Sequence, residues 1–316
     1  MSFDFVKKLD FESEFFNLYK ISESAYAAIC KDFNSPMRSN AGFIDIGDYL
    51  IIVDTTLSIE AAKDLIKAAT QYTQKEPNFV VITHFHLDHI MGNSLFDVST
   101  QIMTSDRTLK NLQTEGKKRI EDIKNMDLKK LESSLDKITD ELQRRRAEFE
   151  LSIAKIIQSG SFWIREPNLT FKTGCVIHGN NKNVHLRTYQ KAHTDGDVTI
   201  YIPEEKILFS GDLLFAKSDP WLGSGDPEGW ISLIEELLEI DFKVAVPGHG
   251  ELATKEEFLL ESKYIKEILD LVKKKIDAGE DPNEIKREDF SEEIQPLISP
   301  MFGRNIDFLA GFLRKS

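Results

Sequence analysis

The 316-residue chain is 41% hydrophobic and 29% charged and carries a net charge of −13, a balance that suits a soluble globular protein. The acidic excess argues against nucleic acid as the main partner, since phosphate backbones are held by clustered Lys and Arg, and the one arginine run, Arg144-Arg145-Arg146, reads as a solvated helix face. No apolar run approaches the length of a membrane span, Met1 to Asp10 lacks the apolar core of a secretory signal, and two cysteines, Cys30 and Cys175, suit a reducing cytoplasm.

In chain order, Phe16 to Ile29 read as two short strands around Ser22-Glu23-Ser24. Gly42 to Ile46 and Leu50 to Asp54 read as a hairpin turning at Gly47-Asp48. Ser58 caps a helix running to Tyr72, with apolar positions at Ile59, Ala62, Leu65, Ile66 and Ala69. Phe79-Val80-Val81-Ile82 is a buried strand. It leads straight into Thr83-His84-Phe85-His86-Leu87-Asp88-His89, an H-x-H-x-D-H run at a strand-to-helix junction. Residues two apart in an extended segment point the same way, so His84 and His86 can grip one ion together. Asp88 and His89 lie past the turn and can face a neighbouring ion. Imidazole and carboxylate are ligands that zinc and divalent iron accept. Asp54 ends its strand near the same edge, where it can orient the histidine loop or merely lead into the helix.

From Ser105 to Gln158 the pattern changes to a charged stretch with one glycine and no proline. Leu128, Leu131, Leu135, Ile138 and Leu142 form a heptad-like stripe that Phe149, Ile153 and Ile156 continue. A helix from about Asp127 to Ile157 would be roughly 45 Å long. The run from Ser105 to Met126 is its expected companion, folded back near Gly116 or Asn125. This insertion reads as scaffold or dimer surface, or else as a lid. It carries none of the candidate ligands, so joining Thr104 to Ser159 is expected to leave the site intact.

Short strand patterns return from Ser161 to Ile202. Three further motifs stand at or beside strand ends: His193 in His193-Thr194-Asp195-Gly196-Asp197, Asp212 in Ser210-Gly211-Asp212, and His249 in Pro247-Gly248-His249-Gly250. His178 and His185 read as ordinary strand or surface residues. The loop from Phe215 to Gly229 follows Asp212 directly and should border the pocket, with Trp221 a candidate wall for substrate. Trp230 opens a helix to Ile240 and reads as core. After Gly250 the chain is helical, first from Lys255 to Ala278 and last from Gly303 to Arg314, and the apolar stretch Ser299 to Gly303 could reach the pocket or a partner.

The order and spacing of these motifs, from about residue 40 to about residue 250, resemble the metallo-β-lactamase fold superfamily. The resemblance implies a four-layered αββα sandwich of two mixed sheets, where periodicity alone gives an α/β chain of strands interleaved with helices. With the helical patterns read above, the expected organisation is a metallo-β-lactamase-like catalytic domain over 1–252, interrupted by the helical insertion at 105–158, and a helical C-terminal segment over 253–316. The resemblance also implies two divalent ions, zinc first, with iron or manganese as alternatives. One ion would take His84, His86 and His193, the other Asp88, His89 and His249, and Asp212 would bridge them. An Asp at the bridge position looks more like the glyoxalase II, lactonase and nuclease branches than like true β-lactamases.

The expected function is hydrolysis of an acyl bond in an ester, thioester, lactone or lactam. The nucleophile would be a metal-bridging hydroxide, with Asp88 as the catalytic carboxylate that orients water or hands on a proton. The alternatives are an iron-dependent sulfur dioxygenase-like oxidoreductase and, weakened by the acidic charge, a phosphodiesterase or nuclease. The expected partner is a small-molecule substrate, with no membrane, and a homodimer could form through the insertion.

Overall fold

The computed structural model describes residues 3–32, 37–139, 141–160, 163–297 and 302–314. They fall into two compact units, Met1–Phe171 and Lys172–Ser316. Among the described residues no helix is long and apolar enough to cross a membrane.

The first unit is built on an eight-stranded mixed sheet whose strands lie in sequence order. Strands β1 (Lys7–Lys8), β2 (Phe16–Lys20), β3 (Ala25–Cys30), β4 (Ala41–Asp45) and β5 (Leu50–Val53) are antiparallel neighbours. The tight turn between β4 and β5 is where the sequence puts it: Gly47 takes φ 92° and donates its N–H to Asp45 Oδ1 at 2.9 Å. Helix α1 (Ile59–Thr73) then crosses over, and β6 (Phe79–Val81) pairs parallel with β5, Ile52 opposite Val80. All four residues of β5 are buried, as an unbroken apolar run requires of a strand covered on both faces. Ser58 caps α1 by accepting the Ala61 N–H at 2.9 Å, and the helix buries a mostly small-residue face of Ala61, Ala62, Leu65, Ala68 and Ala69.

A short helix α2 (Leu87–Ile90) and a 3₁₀ turn (Met91–Leu95) follow β6. Gly92 is required here, because a Cβ on it would lie 2.4 Å from both the Ala62 Cβ and the Thr55 carbonyl oxygen. Strands β7 (Gln101–Ser105) and β8 (Leu169–Phe171) complete the sheet, both parallel to their neighbours.

The insertion lies between β7 and β8 and differs from its expected form. Helix α3 (Asp106–Asn111) runs through a π-helical stretch, Leu112–Gly116, into α4 (Lys117–Lys124), so the first bend falls at Asn125 and not at Gly116. The single long helix is replaced by two, α5 (Leu128–Leu135) and α6 (Glu141–Gln158), which pack together. Lys155 Nζ sits 2.5 Å from Glu132 Oε1, a pair that an unbroken helix would hold about 35 Å apart. The break follows Leu135, where the N–H groups of Lys137 and Ile138 bond back only three residues, to Ser134 and Leu135. Ile138 and Thr139 come next, and both are β-branched, which weakens the tendency to continue a helix. The side chains of Leu142 and Phe149 lie outside the described residues.

The second unit carries a five-stranded mixed sheet in the order β13-β12-β11-β10-β9. The strands β9 (Gly174–His178), β10 (Asn183–Thr188), β11 (Val198–Ile202) and β12 (Ile207–Phe215) are antiparallel, and β13 (Val244–His249) joins β12 in parallel through helix α7 (Pro227–Leu238). All nine residues of β12 are buried, and its register against β13 shifts between Phe209 and Phe215. Irregularities of this kind re-aim side chains, and Asp212 lies inside this one. Helix α8 (Lys255–Asp277) starts at a capping box formed by Thr254 and Glu257, and α9 (Phe302–Leu313) ends the described chain. Trp230, Phe258, Tyr264 and Leu309 pack in one apolar cluster with Leu208 and Leu213 of β12, so Trp230 is core, as expected. Ser299 to Met301 lie outside the described residues.

Candidate functional site

Each unit holds its own share of the seven candidate ligand residues, and each residue offers a ring nitrogen or a carboxylate oxygen of the kind metal ions take. In the first unit the share is His84, His86, Asp88 and His89, on the turn that leaves β6. The turn is held from the end of β5 by three residues, Asp54, Thr55 and Thr56, all buried. Asp54 and Thr56 have φ 57° and 61°. That left-handed conformation is uncommon for Asp and a true outlier for β-branched Thr.

The kink has a use. It turns Asp54 so that one oxygen accepts the Thr83 N–H and the other the Thr83 hydroxyl, each at 2.8 Å. His89 Nδ1 lies 2.8 Å from that second oxygen. Thr55 and Thr56 hold the main chain of the turn: the Thr55 N–H donates to the His89 carbonyl at 2.8 Å and its hydroxyl to the same carbonyl at 3.2 Å, and the Thr56 carbonyl accepts from the Met91 N–H at 3.2 Å. Of the two readings of Asp54, the structure supports the orienting one.

These bonds set the tautomers. A carboxylate only accepts, so His89 Nδ1 carries the proton and a neutral His89 keeps its lone pair on Nε2. The Thr83 hydroxyl gives its proton to Asp54, so His84 Nδ1, 3.1 Å from Thr83 Oγ1, is also a donor. That leaves a lone pair on His84 Nε2, which faces His86 Nδ1 at 3.0 Å. Asp88 is the more open residue, and its Oδ2 lies 3.9 Å from His89 Nε2. The Asp88 carbonyl accepts a short hydrogen bond from the Ser39 hydroxyl, which ties the main chain without engaging the carboxylate.

The insertion supports this turn from outside. Leu57 and Met91 are buried in one apolar cluster with Ile123 of α4 and Ile153, Ala154 and Ile157 of α6, and Leu87 packs against it. Phe85, between the two histidines, shares a cluster with Leu112 of the π-helical stretch.

In the second unit His193, Asp212 and His249 come together and are all but fully buried. Asp212 Oδ2 is 3.3 Å from His193 Nε2 and 3.3 Å from His249 Nε2. Gly248 makes room for it, since a Cβ there would lie 1.9 Å from Asp212 Oδ1. His193 Nδ1 donates to the Trp221 carbonyl at 3.1 Å, and so a neutral His193 presents its Nε2 lone pair to the carboxylate. Lone pair facing lone pair at this distance repels unless a cation or a proton lies between. The donor set therefore fits a divalent cation. The Phe215 ring stacks on His249, with centroids 4.7 Å apart and planes 18° apart.

Two buried carboxyl groups back this cluster. Asp197 receives the Thr194 N–H at 2.8 Å and the Thr194 hydroxyl at 2.6 Å, which shapes the loop after His193. Burial pushes its carboxyl up to about 7, and the charges of Asp212 and Asp195 add to the rise. Glu261, on α8, accepts the Phe215 N–H at 2.6 Å, and burial first, then the charge of Asp212, drives it well above the usual carboxylate range. Neither was singled out from the sequence, although Asp197 sits inside a quoted motif. Trp221, expected as a wall for substrate, acts on His193 through its carbonyl, while its indole lies over Gly223. His178 and His185 lie exposed on β9 and β10, as expected, with His178 Nδ1 2.8 Å from Asn183 Oδ1.

Comparison with known proteins places these residues in context. The family model of the metallo-beta-lactamase superfamily matches residues 34–104 and 124–249, so the unmatched stretch between them falls inside the insertion. The chain is 22% identical over 221 residues to the linear primary-alkylsulfatase of Pseudomonas sp. (strain ATCC 19151), a match spanning 66% of this chain and 40% of that protein. Its fold is similar to that of the stereoselective inverting sec-alkylsulfatase Pisa1 from Pseudomonas sp., with TM-score 0.67 and 15% identity over 93% of this chain and 50% of the other. It is likewise similar to a metallo-beta-lactamase from Pontibacter korlensis, with TM-score 0.57 and 18% identity over 79% of this chain and 99% of the other. The chain thus spans half or less of the length of the two alkylsulfatases.

Proposed function

The chain belongs to the metallo-β-lactamase superfamily, and from that premise we propose that it is a metal-dependent hydrolase with a dinuclear site. His84, His86 and His193 would hold one ion, Asp88, His89 and His249 the other, and Asp212 would serve both. Zinc suits this nitrogen and oxygen set, and iron or manganese would also be accepted. When bound, the ions supply an activated water and a Lewis acid for the oxygen under attack. The observation that carries the reading is the convergence of His193 Nε2 and His249 Nε2 on one buried oxygen of Asp212, each at 3.3 Å.

The chain's own residues do the positioning. Asp54 holds His89, and Thr83 holds His84, each with its ε-nitrogen lone pair presented. The Trp221 carbonyl does the same for His193. Asp88, anchored through its main chain by Ser39, would use its carboxylate to orient water or hand a proton to the leaving group. The substrate is a small molecule with an acyl bond: an ester, thioester, lactone or lactam. A second reading, hydrolysis of a sulfate ester, is supported by the names of the two alkylsulfatase relatives. The sparse cysteine usage, Cys30 and Cys175 alone, suits a cytoplasmic setting.

Metal analysis combined with anaerobic turnover of acyl and sulfate ester substrates tests the reading. Close to two ions per chain and turnover without oxygen are expected. Activity confined to a single-iron form that needs oxygen would replace the hydrolase with an oxygenase.

A further inference from the structure

Beyond the stretch matched by the family model, which ends at residue 249, helix α9 buries three side chains, and one of them, Asn305, is polar. Both amide hydrogens and the amide oxygen have partners. Nδ2 donates to the Pro220 carbonyl at 2.7 Å and to Tyr264 Oη at 3.1 Å, and Oδ1 accepts the Leu222 N–H at 3.1 Å. A carbonyl can only accept and an N–H only donate, so these partners fix which way the amide faces. Tyr264, on α8, also hydrogen-bonds to Asp219, and the Asp219 N–H donates to the Leu297 carbonyl at 3.0 Å.

Pro220 and Leu222 flank Trp221, so Asn305 pins the main chain on both sides of the carbonyl that receives His193 Nδ1 at 3.1 Å. Gly223 and Gly225 lie just beyond, so the chain that follows that carbonyl has little stiffness of its own. We propose that Asn305 is a positioning residue: by fixing the Trp221 carbonyl it sets the tautomer and ring orientation of His193, so that Nε2 keeps its lone pair toward Asp212. The C-terminal helices thereby complete a site whose named ligands all precede them. The consequence for metal binding rests on the reading of His193 as a ligand; the tautomer does not.

The test uses the full chain with Asn305→Ala, Asn305→Asp, Leu309→Ala and His193→Ala. Nitrogen-15 NMR of the metal-free protein reads the His193 tautomer, and chelator competition reads zinc affinity. In wild type Nδ1 should carry a proton held by the Trp221 carbonyl, whether or not a second proton lies between Nε2 and Asp212. Asn305→Ala should give a mixture of tautomers and bind zinc about tenfold more weakly, in line with the loss of groups that orient a ligand. Leu309→Ala removes a fully buried side chain of the same helix and should lower thermal stability while both readouts stay as in wild type. If Asn305→Ala does not fold, the isosteric Asn305→Asp, which loses both amide donors, should show the same two changes. A wild-type tautomer in a folded Asn305 variant, or an equal change in Leu309→Ala, would overturn the proposal. If His193→Ala still binds zinc as wild type does, the metal reading fails, and the tautomer measurement alone judges Asn305.

Discussion

Asp54 holds His89 by a 2.8 Å hydrogen bond from Nδ1 to Oδ2, and it does so from a left-handed backbone with φ 57°. Orientation and backbone strain can therefore be separated by substitution. Asn tolerates that conformation better than other residues, so Asp54→Asn should keep the bend. Its amide would nevertheless turn a donor toward either Thr83 or His89. Metal affinity should fall ten- to a hundredfold with a small change in unfolding midpoint. Asp54→Ala would also strip the buried Thr83 N–H of its acceptor, a further loss of about 1–3 kcal/mol. Chelator competition and denaturant unfolding distinguish the two variants; equal affinity in Asp54→Asn and wild type would remove Asp54 from the site.

Asp197 gives a pH signature. Burial raises its carboxyl to about 7 in the folded chain, against about 3.9 unfolded. The folded state therefore binds this proton more tightly. The contribution is complete below about pH 4 and is lost as pH rises through about 7. Its size is of order a few kcal/mol. Denaturant midpoints of metal-stripped protein between pH 4 and 8 should show the decline, and Asp197→Asn, which cannot ionise, should flatten it. An unchanged pH profile in Asp197→Asn would place the titration elsewhere.

The insertion is tied to the ligand-bearing turn by packing. Leu57 and Met91 are buried against Ile123, Ile153, Ala154 and Ile157, so removing residues 105–158 would expose the floor of the helix that carries Asp88 and His89. Joining Thr104 to Ser159 should therefore weaken metal binding, contrary to what the absence of ligands in the insertion suggests. Ile157→Ala, at a site 1% exposed, should destabilise the chain by about 2–5 kcal/mol. It should also lower metal retention. Full metal content in the deletion would reduce the insertion to an appendage.

What was legible in the sequence was local. The apolar run of β5, the Ser58 cap, the Gly47 turn and the histidines at strand ends each depend on neighbours a few residues away, and each stands where the pattern puts it. The break between α5 and α6 was not legible, because a helix folded back on itself keeps the same three-and-four spacing as one that runs on. Lys155 beside Glu132 is visible only in three dimensions. The contacts of Glu261 with Phe215 and of Asn305 with the Trp221 peptides join residues 46 and 83 to 85 positions apart. A bond to a main-chain group leaves no complementary side chain to find. Asp197 was half legible: its motif was noted, but its burial and its grip on Thr194 were not readable from residue types.

Asp88 and Asp212 should separate metal holding from proton handling. Asp212 offers one oxygen to both His193 and His249, is buried, and lies in the irregular stretch of β12. Asp212→Ala should therefore cut bound metal and abolish turnover, as His84→Ala and His193→Ala should. Asp88 differs. Its main chain is fixed by Ser39 and its side chain is 18% exposed, so replacing the carboxylate leaves the turn in place. Asp88→Asn keeps one oxygen for a ligand and loses the second, charged oxygen that can take a proton. It should retain more metal than Asp212→Ala yet lose about 10²- to 10⁴-fold in rate, the usual worth of a positioned acid or base. Metal content by elemental analysis and turnover on the same preparations decide it. Asp88→Asn with wild-type rate would reduce Asp88 to a ligand, and full activity in Asp212→Ala would sink the dinuclear site altogether.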